Sequence, residues 1–224
     1  MSRSRAPRKD VYHELRDAIV SGRFHPNERL VEASVAELVG AGRTAVRAAL
    51  VRLDQEGLVV LEPNRGARVR LIDAREALEV EEVRAALEGL LARRAAERMS
   101  EEALVEMERL TAEMRDRVAN GDALGYSELN ARFHQLIWAA ADHQTSTRIV
   151  GSLKSQSIRF QFQTALRPGR AERSLHEHEA IVAALRSHDG DAAEAAMREH
   201  LVEVLENLRW VIHAHNQSAA WLPA

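Results

Sequence analysis

Residues 43–72, RTAVRAALVRLDQEGLVVLEPNRGARVRLI, decide how the first third of this sequence folds. In the first half of the segment, Val46, Leu50 and Leu53 recur at helical spacing, and a glycine then supplies the helix end. The second half holds two runs rich in β-branched and apolar residues, one on each side of the turn sequence PNRG. The pattern therefore predicts a helix followed directly by a β-hairpin.

Two further helices are predicted before this segment. Residues 10–22, DVYHELRDAIVSG, indicate a helix that Asp10 caps and Gly22 ends. Its apolar stripe consists of Val11, Leu15, Ala18 and Ile19. A turn-rich link, RFHPNERL, leads to a short helix in VEASVAELVG, and GAG breaks the chain before residue 43. We expect this short helix to bury Val35, Leu38 and Val39.

Helix, short helix, tight turn, helix and hairpin, in this order, indicate a winged helix-turn-helix domain over residues 1–72. The last helix of such a domain enters the major groove of DNA and reads base edges with its N-terminal residues. Arg43 and Arg47 share a face there, away from the apolar stripe, and each could bind guanine through two hydrogen bonds. Thr44 and the helix N-terminus suit a phosphate. The alternative for any single arginine is an ordinary solvated side chain.

The predicted hairpin tip has a composition that suits the minor groove. Asn64 offers an amide, Arg65 a guanidinium, and Gly66 permits close approach of the backbone. We therefore count these three residues with Arg43, Thr44 and Arg47 among the candidate DNA contacts.

The charge distribution supports a DNA-binding first domain. Residues 1–72 carry 13 Lys and Arg against 9 Asp and Glu, a net charge of +4, whereas the remainder carries 18 against 25, a net charge of −7. Because the first domain is basic and the second is acidic, we expect only the first domain to bind a polyanion. Residues 1–9 are basic with no apolar run after them, which predicts a flexible arm rather than a signal peptide. A cytoplasmic protein without a membrane span is therefore expected.

From residue 73 to residue 224 only helical periodicity is found. The predicted helices span 74–99, 101–119, 123–141, 144–166, 171–188 and 190–215. About six helices of this length predict an all-α antiparallel bundle with room for a pocket, so the fold class is mainly α. The sequence contains no cysteine, so a metal would be held by histidine, carboxylate or amide oxygen.

Three histidines interrupt the apolar faces of three different helices: His134, His178 and His200. A single histidine on such a face is usually a core residue with a hydrogen bond. Three on separate helices each need a buried partner, and one divalent metal ion would satisfy all of them.

The segment LRDAIVSGRFHPNERLVEASVAELVGAGRTAVRAALVRLDQEGLVVLEPNRGARV resembles the N-terminal domain of GntR-type bacterial transcription regulators. The resemblance places Arg43, Thr44 and Arg47 at recognition-helix positions and the residues from Asn64 to Gly66 at the wing tip. Family members commonly carry Ser, Pro and Glu where this sequence has Gly42, Ala45 and Ala48. Loss of the serine cap weakens the helix start slightly and leaves both guanidinium groups in place.

The second domain resembles the FCD effector domain of the FadR-like branch of this superfamily. The likeness rests on the segments LNARFHQLIWAAA, LHEHEAIVAALRSHDGDAAEAAMREHL and VRAALEGLLARRAAE. Many members hold a metal with three histidines and an Asp, sometimes an Asn, four residues before the first of them. This implies the ligand set Asn130, His134, His178 and His200, with Zn²⁺ or Ni²⁺ best suited to imidazole. Because all four ligands are neutral, the ion would attract an anion.

Further residues are predicted to line an effector pocket. Arg84 either clamps an effector carboxylate or forms an ordinary i,i+4 pair with Glu88. Gln156 and Arg159 belong to an unusually polar helix face that would line the same pocket.

Together these features predict a homodimeric transcription regulator that binds a pseudo-palindromic operator and responds to a small organic acid. The resemblance favours a repressor that the acid causes to release its operator. Two alternatives remain open, a structural or absent metal in the same regulator and, more remotely, a three-histidine metal hydrolase. A hydrolase would need a general base; HExxH is absent, and no carboxylate is obviously placed beside the candidate ligands. An enzyme is therefore not expected.

Overall fold

The computed structural model describes residues 10–165 and 167–219, and the side chains of 10–157 and 167–214. The chain divides into two compact units at the junction of Ile72 and Asp73. Within the described residues, no helix is both long and apolar enough to cross a membrane.

The first unit is a winged helix-turn-helix, as predicted. Its helices are α1 (Val11–Val20), α2 (Glu32–Leu38) and α3 (Arg43–Gln55), and its strands are β1 (Arg29–Leu30), β2 (Val59–Glu62) and β3 (Gly66–Val69). The strands form an antiparallel sheet in the order β1-β3-β2. The short strand β1 was not predicted, because its two residues lie in the turn-rich link and depend on pairing with the distant β3.

The helix caps and most of the predicted apolar stripes hold. The Asp10 side chain accepts a hydrogen bond from the Tyr12 backbone N–H at 3.2 Å and so begins α1. The prediction that Leu38 is buried was wrong, since its exposure is 65% while Val35 and Ala36 of the same helix are buried. Leu38 lies about 200° around the helix from Ala36, so a helix of two turns cannot bury both.

The second unit is an all-helical bundle, also as predicted. It contains α4 (Ala74–Arg98), α5 (Glu101–Ala119), α6 (Ala123–Ala141), α7 (Gln144–Ala165), α8 (Arg170–Arg186) and α9 (Gly190–Ala219). Carboxylate or hydroxyl side chains cap the starts of α4, α5, α6 and α9, at Asp73, Ser100, Asp122 and Asp189.

The core of the bundle determines where its polar residues meet. The most extensive helix contact is between α4 and α9, and α6 packs against both α4 and α5. Phe133 and Ile137 of α6, Ile181 of α8 and Leu201 of α9 are all buried in one apolar cluster. Each lies within four residues of a candidate histidine on the same helix, so the histidines are carried into the same interior.

Candidate metal centre and nucleic-acid interface

The structure brings the three candidate histidines together in the interior of the bundle. Their exposure is 2% for His134, 0% for His178 and 3% for His200. One ring nitrogen from each can be chosen so that all three lie within 4.8 Å of one another. The ring centroids of His178 and His200 are 4.6 Å apart, and that of His134 is 5.4 Å from His200. Three imidazoles at this spacing can bind one metal ion.

Each histidine has a polar group beside its Nδ1 atom. The Nδ1 of His200 lies 2.6 Å from Glu177 Oε2, and that of His178 lies 3.2 Å from the Tyr126 hydroxyl. The Nδ1 of His134 lies 2.9 Å from Glu88 Oε2, although not in the alignment of a hydrogen bond. Groups on Nδ1 fix the orientation and tautomer of a ring and leave Nε2 as the metal ligand.

Among the residues whose side chains are described, two buried atoms at the centre have neither a hydrogen-bond partner nor an ion-pair partner. These are Nε2 of His178 and Oδ1 of Asn130, which lies one helical turn before His134 on α6. Buried polar atoms without a hydrogen bond are rare and cost free energy, so both atoms fit a site completed by a bound cation. The donor set, three imidazoles and an amide oxygen, is suitable for a divalent ion of the first transition series.

Burial keeps two of the histidines, His134 and His178, in the form that binds metal. Desolvation lowers the pKa of His134 to about 4, against the opposing effect of Glu88. Desolvation, together with the positive fields of His200 and His134, also lowers the pKa of His178 well below its ordinary value. Both rings are therefore neutral at pH 7 and can bind a cation without first losing a proton.

Arg84 holds two buried carboxylates. Its Nε and Nη2 donate to Glu88 Oε1 at 2.9 and 2.7 Å, and its Nη1 donates to Glu81 Oε2 at 2.7 Å. Burial alone would raise the pKa of Glu88, but the charge of Arg84 holds it well below the usual range. The structure shows the predicted i,i+4 pair of Arg84 with Glu88. The second ion pair, with Glu81, was not predicted. Contact between Arg84 and an effector stays a prediction.

The other predicted pocket residues lie on α7. Gln156 is half-buried, and its Nε2 donates to Ser152 Oγ at 3.2 Å. The side chain of Arg159 lies outside the described residues. A role for either residue in effector binding stays a prediction.

The predicted DNA contacts lie at two places on the first unit. Arg43, Thr44 and Arg47 are exposed on the first turns of α3, which Gly42 begins without a side-chain cap. The Nε and Nη2 atoms of Arg47 donate to the two carboxylate oxygens of Glu32 on α2, both at 2.7 Å. Arg47 thereby forms an ion pair across the helix-turn-helix while its side chain stays exposed.

The wing tip joins β2 to β3. Asn64 and Arg65 are exposed, and Asn64 adopts a φ of 59°, the left-handed conformation that asparagine tolerates in tight turns. Gly66 has a φ of 89°, and a Cβ there would collide with the Leu30 carbonyl oxygen of β1. Gly66 therefore allows the backbone of β3 to approach β1 closely. This is a structural reason for glycine at this position, in addition to the predicted close approach to DNA.

Comparison with known proteins identifies both units. The model of the gntR family of bacterial regulatory proteins matches residues 7–69, and that of the FCD domain matches residues 71–203. The HTH-type transcriptional repressor RspR of Escherichia coli (strain K12) is 30% identical over 203 residues, which cover 91% of this chain and 89% of RspR. This chain belongs to the GntR family.

Other similar proteins agree with this assignment. The Nta operon transcriptional regulator of Aminobacter aminovorans is 27% identical over 197 residues, covering 86% of this chain and 92% of that regulator. The solved structure of E. coli McbR/YncC has the same fold, with a TM-score of 0.75 at 21% identity, over 89% of this chain and 95% of that one. The GntR-family chain is therefore a transcription regulator with a DNA-binding domain and an FCD effector domain, and not an enzyme.

Sequence reasoning missed the groups that surround the histidines of this GntR-family protein. The expectation that no carboxylate lies beside the candidate ligands was wrong, because Glu88 and Glu177 contact two of them. Glu177 is itself bound by the two Nη atoms of buried Arg170 at 2.8 and 2.9 Å. The spacing of Glu81 and Glu88 by seven residues, on the apolar side of α4, is the one sequence signal that marks a buried acidic pair.

Proposed function

We propose that this GntR-family protein is a repressor whose affinity for its operator is modulated by a small organic acid bound at a metal centre in its FCD domain. Asn130, His134, His178 and His200 would hold the divalent ion, with Zn²⁺ or Ni²⁺ preferred by the imidazole ligands. The observation that carries the proposal is a pair of buried ligand atoms in the histidine cluster, Asn130 Oδ1 and His178 Nε2, which have no hydrogen-bond partner among the described side chains.

The neutral donor set supports the choice of an anionic effector. Three imidazoles and an amide contribute no charge, and the carboxylates that contact the histidines, Glu88 and Glu177, are each paired with an arginine, Arg84 and Arg170. A divalent ion bound there would keep its positive charge and attract a carboxylate. When bound, the ion supplies a Lewis-acidic position for that carboxylate.

The DNA-binding part of the proposal rests on exposed groups of the first unit. Arg43 and Arg47 would read bases in the major groove, Thr44 would bind a phosphate, and the tip formed by Asn64, Arg65 and Gly66 would enter the minor groove. A homodimer would present two such surfaces to a pseudo-palindromic operator in the cytoplasm. The repressor named among its relatives, RspR, supports repression as the outcome.

The metal assignment is tested by counting metal ions. Protein purified without chelators or affinity metals is dialysed against Zn²⁺ or Ni²⁺, and metal per chain is measured by mass spectrometry. We expect about one ion per chain in the wild type, strong loss in His134→Ala, and no change in His176→Ala, whose ring is exposed two residues from His178. Unchanged stoichiometry in His134→Ala would remove the proposed site.

A metal that serves structure alone would give a different result. In that case the ion would raise the melting temperature, but organic acids would alter neither melting nor operator affinity when the ion is present.

A further inference from the structure

Lys154 of α7 lies beside the candidate metal centre. Its ammonium is 5.4 Å from the ring centroid of Trp138, and that ring is 6.5 Å from the ring of His134. The indole Nε1 of Trp138 donates to Glu88 Oε2 at 3.3 Å, the same oxygen that lies against His134. A single aromatic side chain therefore links Lys154 to the histidine cluster.

Lys154 has no direct anionic partner among the residues whose side chains are described. The nearby carboxylates of Glu81 and Glu88 are engaged by Arg84, and neither lies within 4.0 Å of the ammonium. Desolvation, with the neighbouring charge of Arg84, lowers the pKa of Lys154 to about 8, so it remains mainly protonated at pH 7. The face of Trp138 stabilises this cation only weakly compared with a carboxylate.

The choice of lysine at this position is unusual for this sequence. It contains 29 arginines and only two lysines, Lys9 and Lys154. An ammonium is a compact point charge with three donors on a flexible stem, whereas guanidinium is a wide planar fork. A half-buried lysine with no anionic partner among the described side chains is therefore suited to a small anionic group.

Resting on the function proposed above, we infer that Lys154 binds the second anionic group of the effector, and that the effector is a small dicarboxylic acid. The positive charges of Arg84 and Lys154 equal in number the negative charges of Glu81 and Glu88, and the charge of Arg170 offsets that of Glu177. The net charge of these side chains is therefore zero. The four metal ligands are neutral as well, which leaves the two charges of the ion. A dianion neutralises the site, with one carboxylate at the ion and the other at the Lys154 ammonium.

Matched acids test the inference by calorimetry on the metal-loaded full chain. Malonate, succinate and glutarate are compared with propionate, butyrate and valerate, so that each pair has the same carbon number. We expect the best diacid to bind about 10- to 100-fold more tightly than its monoacid partner, as for one charge-assisted hydrogen-bonded contact. In Lys154→Met, which retains an apolar stem against Trp138, this preference should fall to near one with unchanged metal content.

An NMR measurement on the wild type is independent of how the variant folds. Protein labelled with ¹³C at lysine Cε gives signals only from Lys9 and Lys154, so Lys9 serves as an internal control. We expect the diacid to shift the Lys154 signal and the monoacid to leave it nearly in place.

Two outcomes separate the inference from the function on which it rests. If acids bind only to the metal-loaded protein but diacids have no preference, or one that survives in Lys154→Met, the role of Lys154 is overturned and the proposed function stands. If neither class of acid binds the metal-loaded wild type, both are overturned.

Discussion

Glu177 illustrates how single residues prepare the histidine cluster. Its carboxylate accepts hydrogen bonds from the two Nη atoms of Arg170 and lies 2.6 Å from the Nδ1 of His200. Arg170 therefore fixes the position of the carboxylate, and the carboxylate in turn orients the ring of His200. The contact with His200 could not be predicted from sequence, because Glu177 and His200 lie on α8 and α9 and meet only when the helices pack. The histidines themselves were predictable, since each interrupts an apolar stripe.

We predict that Glu177→Gln weakens metal binding by about 10- to 100-fold, the usual effect of removing a carboxylate that orients a ligating histidine. The measurement is a chelator-competition titration with Zn²⁺. Glu179→Gln is the matched control, because Glu179 pairs with Arg115 at the surface. An affinity in Glu177→Gln equal to that of the wild type would show that the contact does not support the ligand.

The buried histidines also make the metal-free protein sensitive to acid. The pKa of His134 in the folded protein is about 4, below the ordinary 6.5, so the unfolded chain takes up a proton first as the pH falls. The free energy of unfolding should therefore decrease between about pH 6.5 and about pH 4, by a few kcal/mol from this residue. Urea denaturation of the metal-free protein at pH 7 and pH 5 measures the change.

Variants assign this acid sensitivity to the cluster. The loss between pH 7 and pH 5 should be smaller in His134→Gln and unchanged in His176→Gln, because the ring of His176 is exposed. A wild-type stability that stays level or rises from pH 7 to pH 5 would contradict the buried neutral state of His134.

At the scale of secondary-structure elements, sequence predicted most of the fold because local signals determine it. Capping residues such as Asp73 and Asp122 begin helices where the apolar periodicity also begins. The failures occurred where a distant partner decides the outcome. Strand β1 exists because Arg29 and Leu30 pair with β3, and Leu38 is exposed because α2 is too short to bury a second face.

The recognition helix α3 gives the next prediction. Replacing Arg43 and Arg47 together with Ala should abolish specific operator binding, since each bidentate contact to a base contributes about 1–3 kcal/mol of discrimination. Both side chains are exposed and pair only with Glu32 in the described part of the chain, so the fold should be retained.

Fluorescence anisotropy with operator and unrelated DNA measures this loss, and circular dichroism checks the fold. Arg115→Ala removes one exposed positive charge from the bundle and should leave operator binding unchanged. Specific binding by the double variant would mean that α3 does not read the operator through these arginines.

At the scale of the whole molecule, the two units have separate cores and complementary tasks. The first carries the excess of positive charge, and the second carries the excess of negative charge around a neutral ligand cluster. A regulator of this kind requires a coupling free energy between effector and DNA, and the coupling must be reciprocal. We propose that this coupling requires the bound metal ion and therefore depends on His134.

The operator dissociation constant, measured with and without succinate, tests the central claim most directly. In the Zn²⁺-loaded wild type, we predict that the acid weakens operator binding by a factor of about 5 to 150, the usual range of allosteric coupling. The acid should have no effect on the metal-free protein or on His134→Ala. An equal effect of the acid with and without metal, or no effect in the metal-loaded wild type, would contradict the account.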